Sequence, residues 1–294
     1  RYTLASSIDD GPIRLAAEGD GPDWQPRNYD RVSHGKVTLL EALTKSYNQA
    51  TVRLGLDLGI AAVLSNIEKL GVNRNLPAVP ALLLGAGEMS PLEVAGMYHT
   101  IASGGFLTPL KTIREVVSSS GTLQTRYPFN VEQVVDSATS YLIDHALREV
   151  FRTGTASVAK QYANVSNMAG KTGTTNDLRD SWFAGYGNQM LSVVWLGHDG
   201  NQPTTLTGSS GALRVWSRLM AEIALRPKVT DPPSRIVKLW IDSKSGARTT
   251  KGCAGATLIP FKDGTEPASR LQCSKGKKGI ISKMKKLLEA DDDA

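Results

Sequence analysis

The order of helix-like and strand-like patterns in this chain predicts an α+β fold. Amphipathic helical patterns dominate between Thr38 and Arg152. Three strand-like runs follow, over residues 168–175, 181–187 and 190–198. The breaks between them are short and polar, which predicts an antiparallel meander. One more amphipathic helix, with Val215, Trp216, Leu219, Met220 and Ile223 on one side, closes the unit before Arg226-Pro227.

The elements can be placed in order. Residues 1–35 are polar and rich in Gly, Pro and Asp, which reads as extended loop with short strands. Thr38-Leu39-Leu40-Glu41 has the form of a capping box and opens a helix. Its pattern breaks at Ser46-Tyr47-Asn48 and resumes with Val52, Leu54 and Leu56 as far as Gly59. A further helix covers about residues 60–70 and stops at Gly71. Ser90-Pro91-Leu92-Glu93 combines a capping Ser, a first-turn Pro and a Glu three positions on, so a helix runs from there to about Ser103. A long helix over residues 137–152 presents Ala138, Tyr141, Leu142, Ala146 and Val150 on one side. Three units are expected: a main domain over 1–226, a small β unit over 227–273 and a basic, solvated tail over 274–294.

Composition narrows the function classes. The 294 residues, 40% apolar and 21% charged, suit an ordinary globular core with a small appendage. Nothing resembles a signal peptide, and the opening Arg1-Tyr2-Thr3-Leu4 reads as the middle of a longer chain. The net charge is +6, but the tail contributes +2 of it through six lysines set against four acids. No basic–aromatic stripe or zinc-finger spacing accompanies that charge, so nucleic acid is not an expected partner. A mildly basic surface suits an anionic cell-wall polymer or lipid headgroups. The four histidines, His34, His99, His145 and His198, share no spacing that suggests a metal site or a triad. Gly85-Ala86-Gly87 hints at a dinucleotide turn, but Ser90 stands where the third Gly belongs and no acidic residue follows at about 20 residues.

The most informative string is Lys171-Thr172-Gly173-Thr174-Thr175, on a strand-like run. Average residue frequencies give about 0.06 chance occurrences of Lys-Thr-Gly in a chain of this length. A strand edge with a cation, hydroxyls and a Gly lacking Cβ can accept an extended peptide and hold its carboxylate. Ser46-x-Asn48 is weak alone, since about one Ser-x-Asn is expected by chance. Its placement in a break between helices, where a hydroxyl and an amide can face a cleft, gives it weight.

Ser-x-Asn between helices, followed by Lys-Thr-Gly on a strand, resembles the penicillin-recognising serine acyl enzymes. The surrounding text is similar to the transpeptidase domain of class A (bifunctional) penicillin-binding proteins. The resemblance rests on Ala42-Leu43-x-x-Ser46-x-Asn48, Leu84-Gly85, Ser90-Pro91-Leu92-Glu93-x-Ala95 and Gly154-Thr155. It continues through Gly170 to Asp177, Asp180-x-Trp182-Phe183-x-Gly185 and Val194-Trp195-x-Gly197. The segment from Cys253 to Cys273, with Gly264-Thr265-Glu266-Pro267, resembles the small C-terminal domain of some Gram-negative members. One motif of the family is missing. The nucleophile's Ser-x-x-Lys belongs several tens of residues before Ser46, and none of the four literal strings fits. Ser33 to Lys36 lies too close, Ser157 to Lys160 falls after Ser46, and those starting at Ser274 and Ser282 belong to the tail.

The resemblance implies a β-lactamase-like transpeptidase fold lacking its N-terminal strands and nucleophile helix, with an exposed edge on the third strand. It implies D,D-transpeptidation of peptidoglycan through a serine acyl-enzyme, acylation by β-lactams, and no cofactor or metal. Ser46 and Lys171 would serve proton transfer, and Asn48 would hold the donor amide. Thr172, Gly173 and Thr174 would bind the terminal carboxylate and the oxyanion. Expected partners are peptidoglycan stem peptides and β-lactams, with room for envelope activator proteins. The expected compartment is the periplasm, with any membrane contact through an anchor elsewhere in the parent protein. A serine β-lactamase or D,D-carboxypeptidase is the alternative activity, and a non-catalytic binding fragment is the alternative class.

Two cysteines separated by about 20 residues near one end fit either two buried thiols or a disulfide in an oxidising compartment. The disulfide Cys253–Cys273 is the expectation, with about 3 kcal/mol of stabilisation on the chain-entropy model. Alkylation of the native protein without reductant should add no mass, whereas two alkylated thiols would refute the pairing.

Overall fold

The computed structural model describes residues 1–16, 22–223 and 231–272. The chain enters along β1 (Ser7–Asp9), which pairs antiparallel with β2 (Lys36–Thr38), Ile8 opposite Val37. Both of these residues are buried against Ala42 and Ala50, so the polar opening segment is folded back rather than trailing. α1 (Leu39–Lys45) starts at Thr38, whose hydroxyl accepts from the Glu41 amide at 3.2 Å. It ends after seven residues because Ser46 turns into the left-handed region, φ 62° and ψ 46°. The Tyr47 amide then reaches back to the Ala42 carbonyl at 2.9 Å, closing the helix end.

The helical pattern resumes as α2 (Asn48–Leu58) and α3 (Ile60–Lys69). The two are bent by 93° at Gly59, whose φ of 89° suits a residue without Cβ. No single helix among the described residues is long and apolar enough to cross a membrane. Gly85 closes a short 3-10 turn, Pro80–Leu84, so the glycine pair there follows a turn and not a strand. α4 (Pro91–Ala102) carries a complete capping box: Ser90 Oγ accepts from the Glu93 amide, and Glu93 Oε2 accepts from the Ser90 amide.

Between α4 and the next helix lie two small ladders that no sequence period announced. β3 (Phe106–Leu107) pairs with β6 (Glu132–Gln133), and β4 (Glu115–Val117) with β5 (Leu123–Arg126). Strands of two to four largely exposed residues are too short to show an alternating burial pattern. α5 (Ser137–Arg152) is capped by Asp136, which accepts from the Thr139 amide at 2.9 Å, and it runs against the first strand of the main sheet.

That sheet is the expected meander: β7 (Ala169–Thr174), β8 (Ser181–Tyr186) and β9 (Leu191–Leu196), antiparallel in that spatial order. Lys171 stands opposite Ala184, and Ala184 opposite Val193. Among the described residues no further strand pairs with β7 or β9, so both are edges. α4 packs on β8 and β9, and α6 (Ala212–Glu222) packs on the same two strands. Phe151 of α5, Phe183 of β8 and Trp216 of α6 form the centre of the largest core, their rings 5.0 to 5.7 Å apart.

β10 (Ile236–Asp242) and β11 (Ala256–Lys262) form an antiparallel hairpin. Ile241, Ile259 and Phe261 are buried with Ala5, Leu40 and Ala146. The hairpin therefore shares a core with α1 and α5. Cys253 is not a free thiol, while Cys273 and the basic tail lie outside the described residues.

Removing Phe183 or Trp216 from this cluster leaves a cavity that the sheet on one side and the helices on the other cannot close. Phe183→Ala or Trp216→Ala should destabilise the fold by about 3–5 kcal/mol in denaturant unfolding. Leu92→Ala, at a position 66% exposed, should stay within about 0.5 kcal/mol.

Candidate active site

Ser46 sits in the two-residue gap, Ser46-Tyr47, where α1 has ended and α2 has not begun. A non-glycine residue in the left-handed region is disfavoured by roughly 1–2 kcal/mol, and such strain is often kept where a side chain must point in one direction. Here the Ser46 hydroxyl points at β7. Lys171 Nζ donates to Ser46 Oγ at 2.8 Å, across 125 residues of sequence. The same ammonium donates to its neighbour's carbonyl, Thr172 O, at 3.1 Å. Burial pushes Lys171 down from 10.5 to about 8, so at neutral pH it is still largely charged but holds its proton loosely.

Close packing brings the two motifs together. A Cβ on Gly154 would sit 2.3 Å from the Thr44 carbonyl oxygen, so only glycine lets the end of α5 meet the last turn of α1. The next residue ties all three elements. The Thr155 amide donates to Thr44 O at 3.3 Å, and its hydroxyl meets that of Thr172 at 2.7 Å. Along β7, Thr172 and Thr174 lie two residues apart and share one side of the strand. Thr174 Oγ1 accepts from the Gly208 amide at 2.9 Å, which leaves its own proton available for an acceptor. The turn leaving β7 is locked by Asp180, which accepts from Thr175 Oγ1 at 3.0 Å and from Trp195 Nε1 at 2.9 Å. The outer edge of β7 thus combines a cation, two threonine hydroxyls and a backbone that no other strand pairs with among the described residues.

Asn48 is placed differently. Its side-chain amide donates to the Arg27 carbonyl at 2.7 Å, and its backbone amide to Asn28 Oδ1 at the same distance. Asn28 and Asp10 are both buried, and they belong to the opening segment that sequence reading treated as loop. Their only trace in the sequence is a cluster of turn-forming polar residues, which does not distinguish a buried carboxylate from a solvated one. Thr155 and Ser209, whose hydroxyl donates to Thr155 O at 2.7 Å, were likewise not singled out as site residues. Of the Ser-x-x-Lys strings, Ser33 donates to Gln49 Oε1 at 2.7 Å and Lys160 to Arg152 O at 2.9 Å. Neither is hydrogen-bonded to the Ser46–Lys171 pair. The strings at Ser274 and Ser282 lie outside the described residues.

Comparisons with known proteins agree on one family. The model of the penicillin binding protein transpeptidase domain matches residues 3–220. Penicillin-binding protein 1B of Vibrio cholerae is 37% identical over 275 residues, which is 93% of this chain and 35% of that protein. The chain therefore spans about a third of the length of that relative. The crystal structure of penicillin-binding protein 1A from Haemophilus influenzae superposes with a TM-score of 0.83 at 25% identity, covering 92% of this chain and 46% of that one. The PonA1 protein from Mycobacterium tuberculosis in complex with penicillin V has the same fold, with a TM-score of 0.65 at 21% identity over 79% of this chain and 66% of that one.

The loosely held proton on Lys171 is measurable. Its side-chain NMR signals should titrate near pH 8, and a midpoint in the ordinary lysine range, about 10.4, would contradict a buried ammonium. Between about 8 and 10.5 the unfolded chain binds more proton at this site than the folded one, so its contribution to stability rises with pH across that window.

Proposed function

The chain belongs to the penicillin-binding protein transpeptidase domain family, and from this premise we propose that it carries the second and third motifs of a peptidoglycan D,D-transpeptidase. The reaction is acyl transfer. A serine attacks the donor stem peptide at D-Ala-D-Ala, D-Ala leaves, and the acyl group passes to an amine on a neighbouring strand. β-Lactams acylate the same serine. The supporting observation is the 2.8 Å contact between Lys171 Nζ and Ser46 Oγ.

That contact suggests how a proton moves. Because Ser46 Oγ accepts from Lys171, its own proton is directed elsewhere, toward the nitrogen that must leave. Lys171 then stabilises the developing negative charge on Oγ and holds the terminal carboxylate together with Thr172 and Thr174. The Thr174 backbone amide, beyond Gly173 on the open edge of β7, supplies one half of the oxyanion hole. Asn48 holds the donor amide. We assign the nucleophile and its lysine to a segment outside these 294 residues, and on that ground this chain by itself is inactive toward penicillin. The division into a transpeptidase domain over 1–226 and a small β domain over 227–273 belongs to the same reading, as does a periplasmic location. Envelope activator proteins fit such a location.

In the protein with its Ser-x-x-Lys segment, Ser46→Ala or Lys171→Ala should slow acylation by a fluorescent penicillin by about 10²- to 10⁴-fold. Ser33→Ala and Ser157→Ala should leave labelling intact. Stoichiometric labelling of the 294-residue chain alone, abolished by either of those two changes, would place the nucleophile within it and overturn this assignment.

A further inference from the structure

α2 begins without a cap of its own. Tyr47 occupies the capping position and offers no side-chain acceptor to the first turn. The first amides of a helix need partners, and an uncapped end inside a fold is unstable. Two buried side chains from the opening segment supply them across the chain. Asn28 Oδ1 accepts from the Asn48 amide at 2.7 Å and from the Gln49 amide at 3.3 Å. Asp10 Oδ1 accepts from the Ala50 amide at 3.0 Å. The two acceptors are joined, since Asn28 Nδ2 donates to Asp10 Oδ2 at 2.6 Å.

The Asp10 carboxylate is fully buried, and its second oxygen also takes the His34 amide at 3.1 Å and faces His34 Nδ1 at 2.9 Å. That ring stacks on Tyr47, 4.0 Å between centroids. Backbone carbonyls complete the clamp. Pro26 O accepts from Gln49 Nε2 at 3.4 Å, and Arg27 O from Asn48 Nδ2 at 2.7 Å. With one Nδ2 proton held by Arg27, the plane of the Asn48 amide is fixed. Its other N–H and its Oδ1 remain to meet an incoming amide.

We propose that residues 26–28, anchored by Asp10, are a positioning element for Asn48, setting the orientation in which it receives the amide of the acyl donor. The inference rests on the transpeptidase reading above. Asn28 and Asp10 touch no substrate and act through Asn48.

A merely structural role would lower every reaction of the protein alike, whereas a positioning role penalises donors that present an amide to Asn48. Benzylpenicillin carries an acylamino side chain, and imipenem carries a hydroxyethyl group instead. In the full-length protein, Asn28→Ala should slow acylation by benzylpenicillin about tenfold or more, the equivalent of one hydrogen bond between Asn48 and the donor amide, and change imipenem acylation by no more than about twofold. The imipenem reaction also counts folded sites, so partial unfolding cancels from the ratio. Should Asn28→Ala not fold, Asn28→Ser, whose hydroxyl stops short of the Asn48 amide, should give the same selective loss. Combined with Asn48→Ala, the Asn28→Ala change should add no further loss. Equal losses on both β-lactams, no loss on either, or additivity with Asn48→Ala would overturn the positioning role alone. An unmodified protein that neither β-lactam acylates would overturn the transpeptidase reading and this inference with it.

Discussion

The hydrogen bond from Lys171 to Ser46 joins two halves of the chain that have no local reason to meet. Ser46 is held by helix-end geometry, and Lys171 by its place in a sheet ladder. Bringing an ammonium this deep lowers its proton affinity, and the Ser46 hydroxyl and Thr172 carbonyl recover part of its lost hydration. The arrangement is stable only if α1, the end of α5 and β7 are locked at fixed spacing. Several features far from any chemistry follow from that requirement.

The lock is steric on one side and polar on the other. Gly154 permits backbone contact between α5 and α1, and Thr155 converts that contact into hydrogen bonds to Thr44 and Thr172. Beneath β8, the aromatic cluster of Phe151, Phe183 and Trp216 sets the distance between α5, the sheet and α6. Aromatic pairs of this geometry add about 0.5–1.5 kcal/mol each beyond their buried area. On the far side of α1, the β10–β11 hairpin fills the space between α1 and α5 with Ile241, Ile259 and Phe261. The helix that ends at Ser46 is thereby supported on both flanks.

The start of α2 obeys a different economy. Its first-turn amides are satisfied by Asp10 and Asn28, which come from a segment with almost no secondary structure. A buried carboxylate beside a helix N-terminus is favoured by the helix dipole and by the donors around it. Removing one of its partners leaves the remaining groups unsatisfied in a site that water reaches poorly. The polar opening segment is thus a structural part of the site.

The sequence by itself determined the local rules of this protein. Helix ends at Thr38, Ser90 and Gly59, the three-strand meander and the strand that carries Lys171 all follow from neighbours within a few residues, where capping, periodicity and turn chemistry act. Lys171-Thr172-Gly173 and Ser46-x-Asn48 were legible as motifs because residue type and order alone mark them. What only the tertiary structure decided is pairing across distance. That Ser46 meets Lys171, that Thr155 bridges to Thr172, and that Asp10 and Asn28 cap a helix some 20 to 40 residues on are contacts between segments remote in sequence. The physical reason is that a buried polar group is recognised by its partners and its loss of solvent. Both are properties of the packed fold, and neither leaves a periodic trace in the residues around it.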